Sequence, residues 1–246
     1  MNHLSNRLLH IAAQVQPAGV LADVGCDHGY LPIYLIKTGR IRRGIAMDIG
    51  EGPLQRAREH IACEGLENVI QTRLSDGLAQ LSLYEADAVV IAGMGGELIM
   101  DILSRGEAVA RSLSQLILEP QSQLPQVRRF LREQHYFVAD EDLVLEDGKF
   151  YPILRILPGE KLPHTETANG PEQSVADAYG LALLQKKHPV LMQYLDRERA
   201  ICQQILNGLP DESVGGARIA QRKKELLEQL ARNEAAADYM KAGEMA

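Results

Sequence analysis

The chain has 246 residues, 46% of them hydrophobic, and a formal net charge of −7. That length holds one domain of ordinary size plus an appendage, and no run approaches the ~18 consecutive apolar residues of a membrane span. Three widely spaced cysteines without a Cys-x-x-Cys pair argue against a disulfide scaffold or a zinc site, and the polar residues after Met1 argue against a secretory leader. A cytoplasmic protein with no metal is expected. The acidic balance confines any polyanion-binding surface to a local patch.

Leu4, Leu8, Ile11, Ala12 and Val15 recur at helical spacing, which predicts an amphipathic helix over residues 3–15. Strand-like and helix-like segments then alternate. Strands are expected at 20–24, 43–48, 68–73, 87–92 and 114–119, and helices at about 30–38, 52–64, 96–109 and 123–134. Such alternation with short connections implies βαβ units and a mostly parallel sheet covered on both faces. Asp147-Gly148 between two apolar runs predicts a terminal antiparallel hairpin of strands 136–145 and 150–157.

Residues 158–172 are rich in Pro and Gly and read as a linker between a domain at 1–158 and a second at 173–246. The second domain is expected to be helical. One helix spans Ala176–Lys187. Another follows Pro189 with Leu191, Leu195, Ile201 and Ile205 on one stripe. A third runs from about Ser213 to Tyr239. The last two form a helical hairpin.

The chemistry centres on Asp23-Val24-Gly25-Cys26-Asp27-His28-Gly29-Tyr30, which lies between the first strand and the first sheet helix. Glycines at such a turn let the backbone approach a nucleotide-like ligand. The acids Asp23 and Asp27 suit a ligand with a cationic end, such as S-adenosylmethionine (AdoMet). Asp48, followed by Ile49, ends the second strand, where an acid binds ribose hydroxyls. Asp76-Gly77 follows the third strand, where an acid accepts a hydrogen bond from an adenine amine. Taken singly, each of these acids also reads as a cap or a turn residue. Their convergence at the ends of three successive strands carries the argument.

Ala92-Gly93-Met94-Gly95-Gly96 follows the fourth strand. The open turn at Gly93 and Gly95 leaves room for a planar base. The Asp/Asn-Pro-Pro-aromatic motif of many exocyclic-amine methylases is absent. A ring nitrogen with its own lone pair does not need that motif. Cys26 reads as backbone lining and His28 as a hydrogen-bonding contact. Tyr30 and Met94 are candidates to position a base, and Asp27 is the acid placed to face it. Arg7, Lys37, Arg40, Arg42 and Arg43 are the candidate phosphate contacts, with solvated helix ends as the plain alternative.

The Gly-Cys-Asp-His-Gly-Tyr segment, Gly93-Met94-Gly95-Gly96 and Leu116-Ile117-Leu118-Glu119-Pro120-Gln121 resemble the bacterial TrmK family. The likeness runs over nearly the whole chain. It implies a class I AdoMet-dependent methyltransferase (α/β, Rossmann-like) with a coiled-coil-like C-terminal part. It also implies tRNA as the substrate, methylated on N1 of the adenine at position 22. Gly25, Asp48, Asp76 and the Gly93–Gly96 turn are then expected to line the cofactor and target pocket, with no obligatory protein partner. The residues alone leave two alternatives open. One is a methyltransferase of a small molecule or protein, and the other is a non-catalytic AdoMet-binding regulator.

Overall fold

The computed structural model describes residues 4–158, 170–210 and 212–242, with the side chains of 212–215 left aside. The chain divides into two compact units, Met1–Thr165 and Glu166–Ala246. Most of the predicted 158–172 linker lies outside the described residues.

The first unit begins with α1 (Asn6–Gln14), whose start is capped by Ser5: its side chain accepts the Leu8 amide at 3.2 Å. Then come β1 (Ala18–Val24), α2 (Tyr30–Lys37), β2 (Ile41–Asp48), α3 (Glu51–Cys63), β3 (Ile70–Leu74) and β4 (Ala88–Met94). They are followed by α4 (Gly96–Arg105), α5 (Glu107–Ser112), β5 (Gln115–Pro120), α6 (Leu124–Glu133), β6 (Phe137–Glu146) and β7 (Lys149–Leu157). The seven strands lie in the order β3-β2-β1-β4-β5-β7-β6. β1 to β5 are mutually parallel, while β7 runs antiparallel to both β5 and β6. Asp147 and Gly148, both at positive φ, make the two-residue turn that the sequence announces.

Alternation along the strands sorts the core into two faces. Ala22, Val24, Val89, Ile91, Leu116 and Leu118 meet the helices α4 to α6. Leu21, Ala88, Val90 and Ile117 point the other way, against Ile11 and Val15 near α1 and Leu31 and Leu35 of α2. α3 covers the same face farther out through Leu54, Ala57 and Ile61 on Ala46 and Ile70. Each Val, Leu or Ile side chain among them contributes about 1.5–3 kcal/mol when removed from water. Odd-numbered positions of β1 and β5 therefore face α1 and α2, and both Asp23 and Glu119 are odd.

The chain steps outward from β1 to β2 and β3, then returns to the other side of β1 for β4. The strand order thus reverses between β1 and β4. In an open α/β sheet the crevice beyond the carboxyl ends of these two strands is where ligands bind. One predicted element differs: residues 96–109 form two helices because the chain breaks at Gly106. A Cβ there would sit 2.8 Å from Leu78.

The second unit holds α7 (Gln173–Tyr179), α8 (Leu181–Gln185), α9 (Pro189–Gly208) and α10 (Glu212–Lys241). The predicted helix at Ala176–Lys187 is two short ones, broken at Gly180 (φ 86°, ψ 117°). α10 is interrupted near its start by Gly216 at φ 59°, ψ −157°. α9 and α10 pack as a hairpin around a polar knot. The side chain of Asn233, fully buried, donates to the Leu195 carbonyl at 2.9 Å and to Glu198 Oε2 at 3.0 Å, and accepts from Arg199 Nε at 3.2 Å. Tyr179 donates to the same Glu198 carboxylate at 2.6 Å. No helix of the described residues is long and apolar enough to cross a membrane.

Candidate active site

β1 delivers Gly25 at φ +78° to the switch point. The amides of Gly25 and Cys26 donate to the Met47 carbonyl at 2.8 and 3.0 Å, which ties the turn to β2. A Cβ on Gly25 would lie 2.5 Å from Met94 Cε. The two glycine turns read from the sequence therefore meet in space. Gly29 closes the first turn and opens α2.

Asp23 is 6% exposed, and burial first and Asp48 second push its carboxyl up to about 7. Such an acid gains stability from a cationic ligand group that restores its charge. At the end of β2, Asp48 accepts the Gly50 amide on Oδ1 at 2.8 Å, in the turn that starts α3. Beside it Ile49 is 72% exposed and Leu74, at the end of β3, is 54% exposed. Two bare aliphatic side chains at the ends of adjacent strands suit the faces of a planar ring. Asp76 is present after β3, but its carboxylate is held by Arg105 at 2.7 and 3.2 Å, which lowers its pKa. Gly77 sits at φ +58° against Ile102. The buried face of the site thus fits the amino-acid end of AdoMet at Asp23 and a ribose at Asp48.

Asp27 takes φ +44° and is well exposed. It pairs with Arg56 at 2.7 Å and with His28 at 3.3 Å. Tyr30 is not a bare ring: it stacks on His28 (5.1 Å between centroids, 10° between planes) and on His60 (4.7 Å, 23°). His60 Nδ1 lies 2.9 Å from the His28 carbonyl, which fixes this trio to the loop. Burial and then the nearby carboxylates push the Cys26 thiol up. That disfavours the thiolate a covalent mechanism needs. Among the described residues no group of His, Cys, Asp or Glu is arranged to hold a metal.

On the β4 side, Gly93 lies at φ +78°, and its amide donates to Glu119 Oε2 at 2.8 Å. A Cβ on Gly93 would make only ordinary contacts, 3.7 Å from Arg7 Nη1 and 3.8 Å from Gln121 Nε2, so the space over this turn is open. Gly95 precedes α4, and Met94 accepts the Gln121 amide at 2.8 Å. Arg7 is only partly exposed, its side chain at 24%. Its guanidinium binds Glu119 Oε2 at 2.8 Å and lies 5.3 Å from the centre of the Tyr151 ring. Glu119 is fully buried, and its pKa is raised by burial, against the opposing pull of Arg7 and the Gly93 amide. The sequence reading missed this acid. The signal was a lone carboxylate ending an otherwise apolar strand, Leu116-Ile117-Leu118-Glu119.

The other basic residues are not brought to the site. Lys37 pairs with Glu64, and Arg40 donates to the Val15 carbonyl at 3.2 Å. Arg42 and Arg43 are exposed at the start of β2. At about 3.3 Å per residue, that end of the strand lies roughly 20 Å from Asp48.

The family model for a methyltransferase domain matches residues 4–154. A Bacillus subtilis tRNA (adenine(22)-N(1))-methyltransferase is 32% identical over 228 residues, which cover 93% of this chain and 92% of that one. The crystal structure of the B. subtilis m1A22 tRNA methyltransferase TrmK superimposes with a TM-score of 0.82 at 30% identity, covering 96% of this chain and 99% of that one. The Streptococcus pneumoniae protein Sp1610, crystallised with S-adenosyl-L-methionine, superimposes with a TM-score of 0.81 at 29% identity, covering 95% and 99%. With paired glycine turns at the switch point and likeness over nearly its full length, the chain belongs to the bacterial tRNA (adenine(22)-N(1))-methyltransferase family, TrmK.

Proposed function

We propose that this protein transfers the methyl group of AdoMet to N1 of adenine 22 in tRNA. The observation that carries the reading is the meeting of the Gly25 and Gly93 turns, in a chain that matches the B. subtilis enzyme over 93% of its length. The open space over Gly93 speaks against a regulator that has lost its acceptor pocket.

AdoMet supplies an electrophilic methyl group on a sulfonium. In our reading the backbone of Gly25, Cys26, His28 and Gly29 cradles its amino-acid end, and Asp23 takes the ammonium. Asp48 accepts from the ribose hydroxyls, Ile49 covers the adenine, and Asp76-Gly77 borders it. Gly93 and Gly95 leave room for the target base, which must leave its stack to enter. Met94 and the Tyr30 ring set the position of that base. The N1 lone pair forms the new N–C bond while the C–S bonding pair leaves on sulfur, so no proton has to move in that step. Positive charge passes to the base, and Asp27 stabilises it electrostatically. Most of the rate gain comes from alignment of the two reactants.

Arg7 serves this reading as a half-buried brace for Glu119. Lys37, Arg40, Arg42 and Arg43 serve as remote phosphate contacts, since recognition of folded RNA rests on shape and backbone. The enzyme works in the cytoplasm on tRNA without an obligatory protein partner. The test is methyl transfer from labelled AdoMet to unmodified bulk tRNA, followed by nucleoside analysis. A single 1-methyladenosine peak is expected. Cofactor binding with no labelled nucleoside would remove tRNA as the acceptor.

A further inference from the structure

Glu119 carries more contacts on one oxygen than on the other. Oε2 receives both the Gly93 amide and Arg7 Nη1, each at 2.8 Å. Oε1 is buried and has no hydrogen-bond partner. A buried carboxylate oxygen left unpaired is unfavourable, and such orphans in folded proteins need an explanation. This one sits beneath the Gly93 turn, whose open side is flanked by Arg7 Nη1 and Gln121 Nε2. The other side of the same turn sends Met94 against Gly25 at the cofactor loop. A base over this turn would be flanked by the cofactor loop on one side and by the end of β5, which carries Glu119, on the other.

Taking the proposed reaction as its basis, we propose that Glu119 Oε1 accepts a hydrogen bond from the 6-amino group of the target adenine and so selects adenine. The amine is the donor next to N1, so a base that presents N1 to the methyl group brings its amine to the neighbouring wall. A carboxylate has no proton to donate, so a 6-oxo purine finds only repulsion there. Arg7 and the Gly93 amide pull against the rise that burial imposes on this carboxyl and orient it through Oε2, which leaves Oε1 for the substrate.

The test is single-turnover methyl transfer to two full-length tRNAs that differ only at position 22, one with adenosine and one with purine riboside, which lacks the 6-amino group. Wild type and Glu119→Gln are compared. In the variant the single carbonyl oxygen stays with the Gly93 amide and Arg7, and the new NH2 faces the base. The adenosine-to-purine rate ratio of wild type is expected to exceed that of the variant by tenfold or more. Comparing ratios cancels the lower nucleophilicity of purine N1. A difference below threefold would overturn the role and reduce Glu119 to a brace for the Gly93 turn. AdoMet affinity reports whether each variant is folded, and Glu119→Asp provides the same comparison should Gln fail to fold. Wild-type inactivity on the adenosine tRNA would instead strike the proposed function, and this role would fall with it.

Discussion

Replacing Asp23 with Asn tests the buried acid most sharply, because its carboxyl is pushed up to about 7. The sign follows from the shift. The unliganded fold favours the neutral acid, so the contribution of Asp23 to stability is fully present below the unfolded pKa, about 3.9. It is lost as pH rises through 7. A shift of roughly three units corresponds to about 4 kcal/mol. Ligand binding runs the other way. With the ionised carboxylate as the form that holds the AdoMet ammonium, affinity rises with pH. Half of Asp23 is ionised at pH 7 and about one hundredth at pH 5, so Kd should rise roughly 50-fold between them, about 2 kcal/mol. Isothermal titration over pH 5–7 reads this, below the range where an α-amino group loses its proton. Asp23→Asn should flatten the profile and bind like wild type near pH 5. Without ligand it should melt higher than wild type at pH 8 and equally at pH 4. A wild-type Kd that varies less than threefold, or the same slope in the variant, would refute the reasoning.

Gly25→Ala should weaken AdoMet binding about tenfold. A Cβ there meets Met94 Cε at 2.5 Å, and φ +78° costs a non-glycine residue about 1–2 kcal/mol. Adding Met94→Ala should restore only the steric part, and calorimetry on the pair separates the two. Asp27→Ala should lower kcat about tenfold or more while the AdoMet Kd stays within threefold, and loss of AdoMet binding instead would make Asp27 a cofactor residue. Asn233→Ala removes one buried and two partly buried hydrogen bonds and leaves Glu198 short of a donor. Chemical denaturation should show a loss of about 2–4 kcal/mol in the helical unit. A loss below 0.5 kcal/mol would contradict the packing described for that hairpin.

The parts of the site legible in the sequence are those coded locally. The turns at Gly25–Gly29 and Gly93–Gly96 each lead from a buried strand into a helix, and Asp147-Gly148 spells its own turn. Chain order then places both glycine turns at the carboxyl ends of β1 and β4. What stayed hidden depends on residues far apart in the chain. Glu119 looks like a surface acid before Pro120 until Arg7, 112 residues away, closes on it. Tyr30 reads as a free ring because His60 arrives from a different helix. Arg40, Arg42 and Arg43 lie close together in sequence, yet a helix-to-strand connection returns to the amino-terminal edge of a parallel sheet. Topology alone therefore places that cluster away from the site. The breaks at Gly106 and Gly180 were missed because apolar spacing continues across them while the backbone does not.

In the proposed reaction the acceptor is one nitrogen of one base. The direct measurement uses labelled AdoMet and two tRNA transcripts, one with adenosine at position 22 and one with guanosine there. Label is expected in 1-methyladenosine with the first transcript and at least a hundredfold less with the second. Equal labelling of both, or label in any other nucleoside, would contradict it.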